Sequence, residues 1–211
     1  MRKPQLVALL SVLAIIVAGG VIYWTQFQDD SPEVTRLAEG LGMAAAEEAV
    51  RLAGNQGKVM LILPKRGTFV DPLVEIQRAA FTKALAGHAG VSLLATESVE
   101  TERPGTMGAG GLDPAEFQAI LTRAAGAKVV VSLAGFPEFP MDAPPVAAGR
   151  KIVVVASGSP QLKALLLAEV VQVVIAPRVK PATTTEKPQT AREWFKQSYE
   201  IITPANVGAL P

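Results

Sequence analysis

Short apolar runs rich in β-branched residues recur along the middle of the chain. The five runs, each too short for a helix, span 58–63, 91–95, 128–134, 151–156 and 171–176. Their apolar residues are consecutive rather than alternating, which indicates strands that are covered on both faces. We therefore expect these runs to form one mostly parallel, five-stranded sheet.

The segments before and between these runs begin with a common pair, a capping residue followed by proline. The capping side chain accepts a hydrogen bond from a free helical N–H group, and proline at the first helical position has no N–H group to leave unsatisfied. The four pairs are Ser31-Pro32, Asp71-Pro72, Asp113-Pro114 and Ser159-Pro160. They predict helices over 32–53, 72–87, 114–125 and 160–168. Since helices alternate with strands, the predicted fold class is a doubly wound α/β domain with helices on both faces of the sheet.

The N-terminus carries a long apolar stretch of a different kind. Residues 6–24 contain no charge, and Arg2 and Lys3 precede them. A helix of this length is about 28 Å long, which matches the hydrocarbon thickness of a bilayer. The stretch ends in Tyr23 and Trp24, residues that favour the membrane interface. We expect a single-pass transmembrane helix with its N-terminus cytoplasmic and the rest of the chain on the periplasmic side; the alternatives are a cleaved signal peptide and a buried helix.

Composition divides the chain into four segments. A proline-, threonine- and lysine-rich linker follows the last apolar run, and an aromatic stretch follows the linker. The predicted segments are a membrane anchor over 1–28, an extracytoplasmic α/β domain over 29–178, the linker over 179–190 and a C-terminal aromatic segment over 191–211.

The C-terminal aromatic segment has one of two roles. It contains Trp194, Phe195 and Tyr199, although aromatic residues make up only 5% of the chain. An amphipathic segment on a long tether either folds back on its own domain or docks on another chain. These three residues are therefore candidate partner contacts in a homo- or hetero-oligomer.

Charge and composition exclude several functional classes. The formal net charge is +1, from 20 basic and 19 acidic residues, which does not suit a nucleic-acid-binding surface. The chain has no cysteine and a single histidine, His88. No nucleophile motif and no phosphate-binding glycine motif follows a predicted strand. We expect a non-catalytic protein without a metal site or a cofactor.

Two stretches of the chain resemble type I periplasmic binding proteins and related sugar-responsive regulators. The first, 59–98, reads VMLILPKRGTFVDPLVEIQRAAFTKALAGHAGVSLLATES, and the second, 112–134, reads LDPAEFQAILTRAAGAKVVVSLA. The resemblance covers about residues 57–177 and implies a Rossmann-like lobe that binds a small molecule. In the family the loop after the first strand carries an aromatic that stacks on a sugar, and Phe69 lies near that position. The family has two such lobes, and we expect a single lobe here.

Ligands of open α/β sheets bind beyond the carboxyl ends of the strands. In this chain that rule selects the loops 64–70, 97–111, 135–149 and 157–160, and the first three are the candidate ligand loops. The first loop offers two adjacent cations that suit an anion, and the third offers two aromatics. The candidate ligand-binding residues are Lys65, Arg66, Thr68, Phe69, Phe136 and Phe139.

Two functional hypotheses follow. The preferred one is a membrane-anchored extracytoplasmic interaction module of an envelope assembly, without catalytic activity. The alternative is a lobe that binds or senses a sugar-like or anionic small molecule. Convergence of the Lys65–Arg66 pair and Phe69 with Phe136 or Phe139 on one pocket would favour the binding lobe.

Overall fold

The structure is a computed structural model that describes residues 31–68, 70–101, 112–140, 149–156, 160–179 and 187–210. The chain divides into two compact units, Met1–Thr35 and Arg36–Pro211, and the second contains the sheet. No helix within the described residues has the length and apolarity needed to cross a bilayer. The predicted anchor, 1–28, lies outside the described residues.

Helices and strands alternate through most of the second unit. In chain order the elements are α1 (Pro32–Ala53), β1 (Gly57–Lys65), α2 (Pro72–Ala86), β2 (Val91–Glu100), α3 (Pro114–Arg123), β3 (Val129–Ser132), β4 (Lys151–Val155), α4 (Pro160–Leu167), β5 (Val173–Pro177), α5 (Ala191–Ser198), β6 (Tyr199–Ile202) and a 3₁₀ helix (Pro204–Ala209). All four helices that were predicted from capping pairs begin at the predicted proline. Their ends fall within two residues of the prediction.

Three of the predicted caps are visible in their hydrogen bonds. The Ser31 hydroxyl oxygen accepts from the Val34 N–H at 3.3 Å. The Asp71 carboxylate accepts from the Leu73 N–H at 2.9 Å. The Asp113 carboxylate accepts from the N–H groups of Ala115 and Glu116 at 2.7 and 3.1 Å. These bonds satisfy N–H groups that have no partner within the helix, and each cap stabilises its helix by about 1 kcal/mol.

The described strands form one sheet in the order β2-β1-β3-β4-β5-β6. The pairs among β1 to β5 are parallel, which confirms the predicted mostly parallel sheet. The predicted number of five strands is wrong, because β6 pairs antiparallel with β5 and places Tyr199 opposite Pro177. The sheet therefore continues beyond residue 178, and the aromatic segment belongs to the same compact unit. A four-residue strand inside an aromatic stretch has no long apolar run that would have indicated it.

Helices cover both faces of the sheet, as the unbroken apolar runs require. On β1, Val59, Leu61 and Leu63 face a core shared with α1, α2 and α5. Met60 and Ile62 face a second core shared with α3, α4 and the segment around the 3₁₀ helix. All five side chains are buried. Full burial of one such side chain stabilises the fold by about 1.5–3 kcal/mol.

Two glycines let α1 lie close to its neighbours on the first face. A Cβ atom at Gly40 would overlap the carbonyl oxygen of Ala191 in α5, and one at Gly42 would overlap that of Gln77 in α2. Side chains at these positions would push the neighbouring helices away. The glycines thus allow α1 to fit between α2 and α5.

Candidate ligand sites

The strand order places a candidate site at the carboxyl edge of the sheet. The connections after β1 and β3 leave the sheet on opposite sides, because β2 lies beyond β1 and β4 lies beyond β3. Such a point of reversal is where open α/β domains bind their ligands. At this edge β1 ends at Lys65 and β3 ends at Ser132.

The loop after β1 is held in place by the end of β2. The Gly67 N–H donates to the Glu100 carboxylate at 2.8 Å, and the Thr101 N–H donates to the Lys65 carbonyl at 3.2 Å. Gly67 has φ +55°, a left-handed conformation that glycine adopts readily. The backbone on both sides of the turn is thus fixed, and Lys65 and Thr68 have defined positions.

A polar cavity of about 190 Å³ lies beside this loop. Lys65, Thr68, Asp71, Glu75 and Ser98 contribute its polar groups, and Leu63, Pro64, Gly67, Val70 and Val74 complete the lining. The lining residues carry an ammonium group, two hydroxyl groups and two carboxylates, of which that of Asp71 caps α2 and that of Glu75 pairs with Arg78 at 2.6 Å. This set can donate to and accept from a hydroxylated ligand, and the ammonium group can pair with a small anion.

Phe136 and Phe139 lie elsewhere, in an aromatic cluster with Phe117. The ring centroids of Phe136 and Phe139 are 5.2 and 6.2 Å from that of Phe117, which is fully buried. Both rings pack against the second core, whereas the cavity beside Lys65 is bounded by Leu63 of the first core. The Gln161 side chain fixes this loop, since it accepts from the Phe139 N–H at 3.2 Å and donates to the Phe139 carbonyl at 3.0 Å.

The structure therefore brings together two of the six predicted ligand residues. Lys65 and Thr68 line the same cavity, and Phe136 and Phe139 do not line it. Arg66 is exposed at the end of β1. Phe69 lies outside the described residues, so its proposed stacking on a sugar stays a prediction.

A larger groove lies between α1 and the C-terminal segment. It has a volume of about 320 Å³, and we call it the α1/α5 groove. Its lining residues are Gly40, Met43, Ala44, Glu47, Arg178, Arg192, Phe195, Lys196, Tyr199, Glu200 and Ile201. Sequence reasoning missed this groove. The aromatic residues Phe195 and Tyr199, four positions apart, were the available signal for a packed apolar face.

The aromatic segment folds back on its own domain. Phe195 is 6% exposed and packs in the first core, and its ring stacks on that of Tyr199 with centroids 5.9 Å apart and planes 6° apart. The Trp194 indole N–H is buried and has no hydrogen-bond partner within the described chain. Burial also raises the pKa of the Tyr199 phenol. The fold-back alternative therefore describes this segment, and partner contact by these residues stays a prediction.

Among the described residues, no group of three or more histidine, cysteine, aspartate or glutamate side chains is placed to hold a metal ion. Several charged side chains form ion pairs at the surface instead. Arg123 pairs with Glu97 at 3.2 Å, for example, and the hydrogen bond that its guanidinium donates to the Glu97 carboxylate raises the pKa of Arg123.

Comparison with known proteins gives fold similarity without sequence similarity. No protein-family model matches the chain, and no curated protein matches it. Among solved structures, the chain is similar to an ABC transporter solute-binding protein from Burkholderia graminis in complex with D-arabinose. The TM-score is 0.54, and the sequences are 14% identical over 80% of this chain and 60% of that one. The arabinose-binding protein AraP from Geobacillus stearothermophilus gives a TM-score of 0.54 and 11% identity over 82% of this chain and 63% of that one.

A third similar structure is a LacI-type transcriptional regulator from Bacteroides fragilis. It gives a TM-score of 0.53 and 10% identity over 81% of this chain and 60% of that one. The chain thus spans about three fifths of the length of the structures it matches. The predicted resemblance is confirmed at the level of the fold: the domain has the fold of type I periplasmic binding proteins and of the LacI-like regulators that share it.

Proposed function

We propose that this domain binds a sugar-like or anionic small molecule at the carboxyl edge of its sheet, without catalysing a reaction. The observation that carries the proposal is the polar cavity beside Lys65 and Thr68, next to the point where the strand order reverses. The similar structures support the class of ligand, since one is a solute-binding protein in complex with D-arabinose and another is described as an arabinose-binding protein.

The chemistry of the cavity fits such a ligand. Sugar hydroxyl groups both donate and accept hydrogen bonds, and the cavity offers both kinds of partner. Its volume of about 190 Å³ is below the range of about 300–1,000 Å³ typical of a complete ligand pocket. We therefore infer that it holds one polar end of the ligand, whose remainder extends beyond the edge of the sheet.

The interaction module that was preferred from the sequence has less support. It relied on the aromatic segment as a docking arm, and Phe195 of that segment packs in the chain's own core. The proposed location is unchanged: the apolar stretch over 6–24 and the preceding cations support an anchored domain on the periplasmic side.

A binding titration with two probes tests the proposed function. The full-length chain, kept in a mild detergent because of its apolar N-terminus, is titrated with D-arabinose and separately with inorganic phosphate, and binding is followed by ligand-observed NMR. For whichever probe binds, we expect Lys65→Gln to lower the affinity about fivefold or more. A charged hydrogen bond contributes about 1.5–3 kcal/mol, and the exposure of Lys65 to solvent reduces that free energy.

The matched control is Lys58→Gln, which removes an exposed lysine from the opposite end of the same strand. It should leave the affinity unchanged. The proposal fails if neither probe binds at millimolar concentration, or if the two lysine variants bind a probe equally well.

A further inference from the structure

The α1/α5 groove shares no lining residue with the cavity beside Lys65. Its volume of about 320 Å³ lies at the lower end of the range for small-molecule pockets. One side is formed by α1, and the other by α5, β6 and Arg178, the residue after β5. The groove is thus a separate concave surface of the domain, and nothing in the proposed function uses it.

Charged groups in the groove are held in defined positions. The Arg178 guanidinium pairs with the Glu200 carboxylate at 3.4 Å and donates from Nε to the Lys196 carbonyl at 2.8 Å. Arg192 forms an ion pair with Glu47, which joins α5 to α1 across the groove. Each of these two carboxylates is therefore already neutralised by an arginine.

The remaining charge is positive. The lining contains Arg178, Arg192 and Lys196 against Glu47 and Glu200. Within the described chain, the Lys196 ammonium group forms no ion pair, and Glu193, the carboxylate of the same helix that interacts with it electrostatically, does not line the groove. The lining of the groove therefore carries one more cation than anions, on a chain whose overall charge is close to zero. An anionic group is the natural partner of such a cation.

The rest of the lining is apolar and partly flat. Met43, Ala44 and Ile201 line the groove together with the stacked rings of Phe195 and Tyr199. Aromatic rings bind other flat rings through offset or edge contacts, beyond the gain from burying area. A ligand of this groove therefore needs a flat apolar body as well as an anionic group.

We propose that the α1/α5 groove is a second binding site, which takes a small aromatic carboxylate. The carboxylate pairs with Lys196, and the ring lies against the apolar lining between α1 and the Phe195–Tyr199 stack. This site is independent of the proposed carboxyl-edge site, because the two are built from different residues.

A pair of matched probes tests the proposal on the full-length chain in mild detergent. 4-Hydroxybenzoate carries the ring and the charge, and 4-hydroxybenzamide carries the same ring without the charge. Ligand-observed NMR titration should show 4-hydroxybenzoate binding at least about fivefold more tightly than the amide, because only the acid gains a charge-assisted hydrogen bond.

Variants assign the binding to the groove. Lys196→Gln should reduce the affinity for 4-hydroxybenzoate by about fivefold or more, and Met43→Trp should abolish binding by filling the groove. Lys163→Gln removes an exposed lysine from α4, which packs against the opposite face of the sheet, and should change nothing. Lys65→Gln should also leave this affinity unchanged, which separates this site from the carboxyl-edge site.

Three outcomes would overturn the proposal: no binding of 4-hydroxybenzoate at millimolar concentration, equal binding of the acid and the amide, or wild-type affinity in both Lys196→Gln and Met43→Trp. In each case the groove would be only a space between packed helices. None of these outcomes bears on the binding of D-arabinose or phosphate beside Lys65.

Discussion

Replacing Phe195 with alanine tests whether the C-terminal segment is part of the folded core. Phe195 is 6% exposed, its Cβ atom lies close to Gly40 of α1, and its ring stacks on Tyr199. Removing a buried phenylalanine side chain costs about 3–5 kcal/mol. The eight-residue helix α5 can shift to close part of the space that is left, so we expect the lower end, about 3 kcal/mol.

That loss can be measured as a change in melting temperature. For a domain of this size each kcal/mol corresponds to about 2–4 °C, so Phe195→Ala should lower Tm by about 6–12 °C. Circular dichroism of the full-length chain in mild detergent measures Tm. Hydrogen exchange should in addition show faster exchange over 187–210 than in the wild-type chain, because the segment loses its main buried anchor.

The control is Lys196→Ala, an exposed position on the same helix. It should lower Tm by no more than about 2 °C, since surface substitutions change stability by about 0.5 kcal/mol or less. A loss of less than about 2 °C in Phe195→Ala would refute the reasoning. It would mean that the aromatic segment does not contribute to the core of its own chain.

Three further predictions concern packing, capping and pH. Gly42→Val should destabilise the domain by about 2 kcal/mol in thermal unfolding, because the new side chain would overlap a backbone carbonyl of α2; Gly208→Ala, where no atom lies within 4 Å, should be neutral. Asp113→Ala should cost about 1 kcal/mol in the same assay, since two helical N–H groups lose their acceptor. The pKa of Glu193 is held below its ordinary value because its carboxylate accepts hydrogen bonds from the backbone N–H groups of Gln189 and of Thr190, the N-cap residue of α5. The stabilisation of α5 by the Glu193 carboxylate is therefore complete above the ordinary pKa of glutamate and is lost as the pH falls through the lowered pKa. Hydrogen exchange of α5 should accordingly accelerate on acidification in the wild-type chain, and it should accelerate less in Glu193→Gln.

Local chemistry accounts for the part of the fold that was predicted correctly. A capping carboxylate and proline act within one helical turn, so pairs such as Asp71-Pro72 identify a helix start without information from the rest of the chain. A run such as 151–156 is buried on both faces because strands on either side and helices above and below cover it, and its unbroken apolarity records that environment.

A cavity lies at the edge of the sheet that the sequence selected, but only two of the six predicted ligand residues line it. The rule that ligands bind at the carboxyl edge led to Lys65 and Thr68, which share a cavity. The same rule led to Phe136 and Phe139, which pack instead against Phe117 of α3. A loop sequence shows which residues are near an edge, but the direction of each side chain depends on which distant residues offer it a place to pack.

Short stretches of sequence were enough to predict the strands, the helix starts and the edge at which we propose a ligand site, because apolar runs and capping pairs are local patterns. The sixth strand, the burial of Phe195 and the α1/α5 groove could be seen only in the folded chain. Each of these depends on contacts between distant segments, such as the Arg192–Glu47 ion pair and the close approach of Gly40 to Ala191. Residues 191–202 are compatible with docking on a partner or on their own chain, and the glycine that lets α5 approach α1 lies some 150 positions away. That complementarity exists only after the chain has folded.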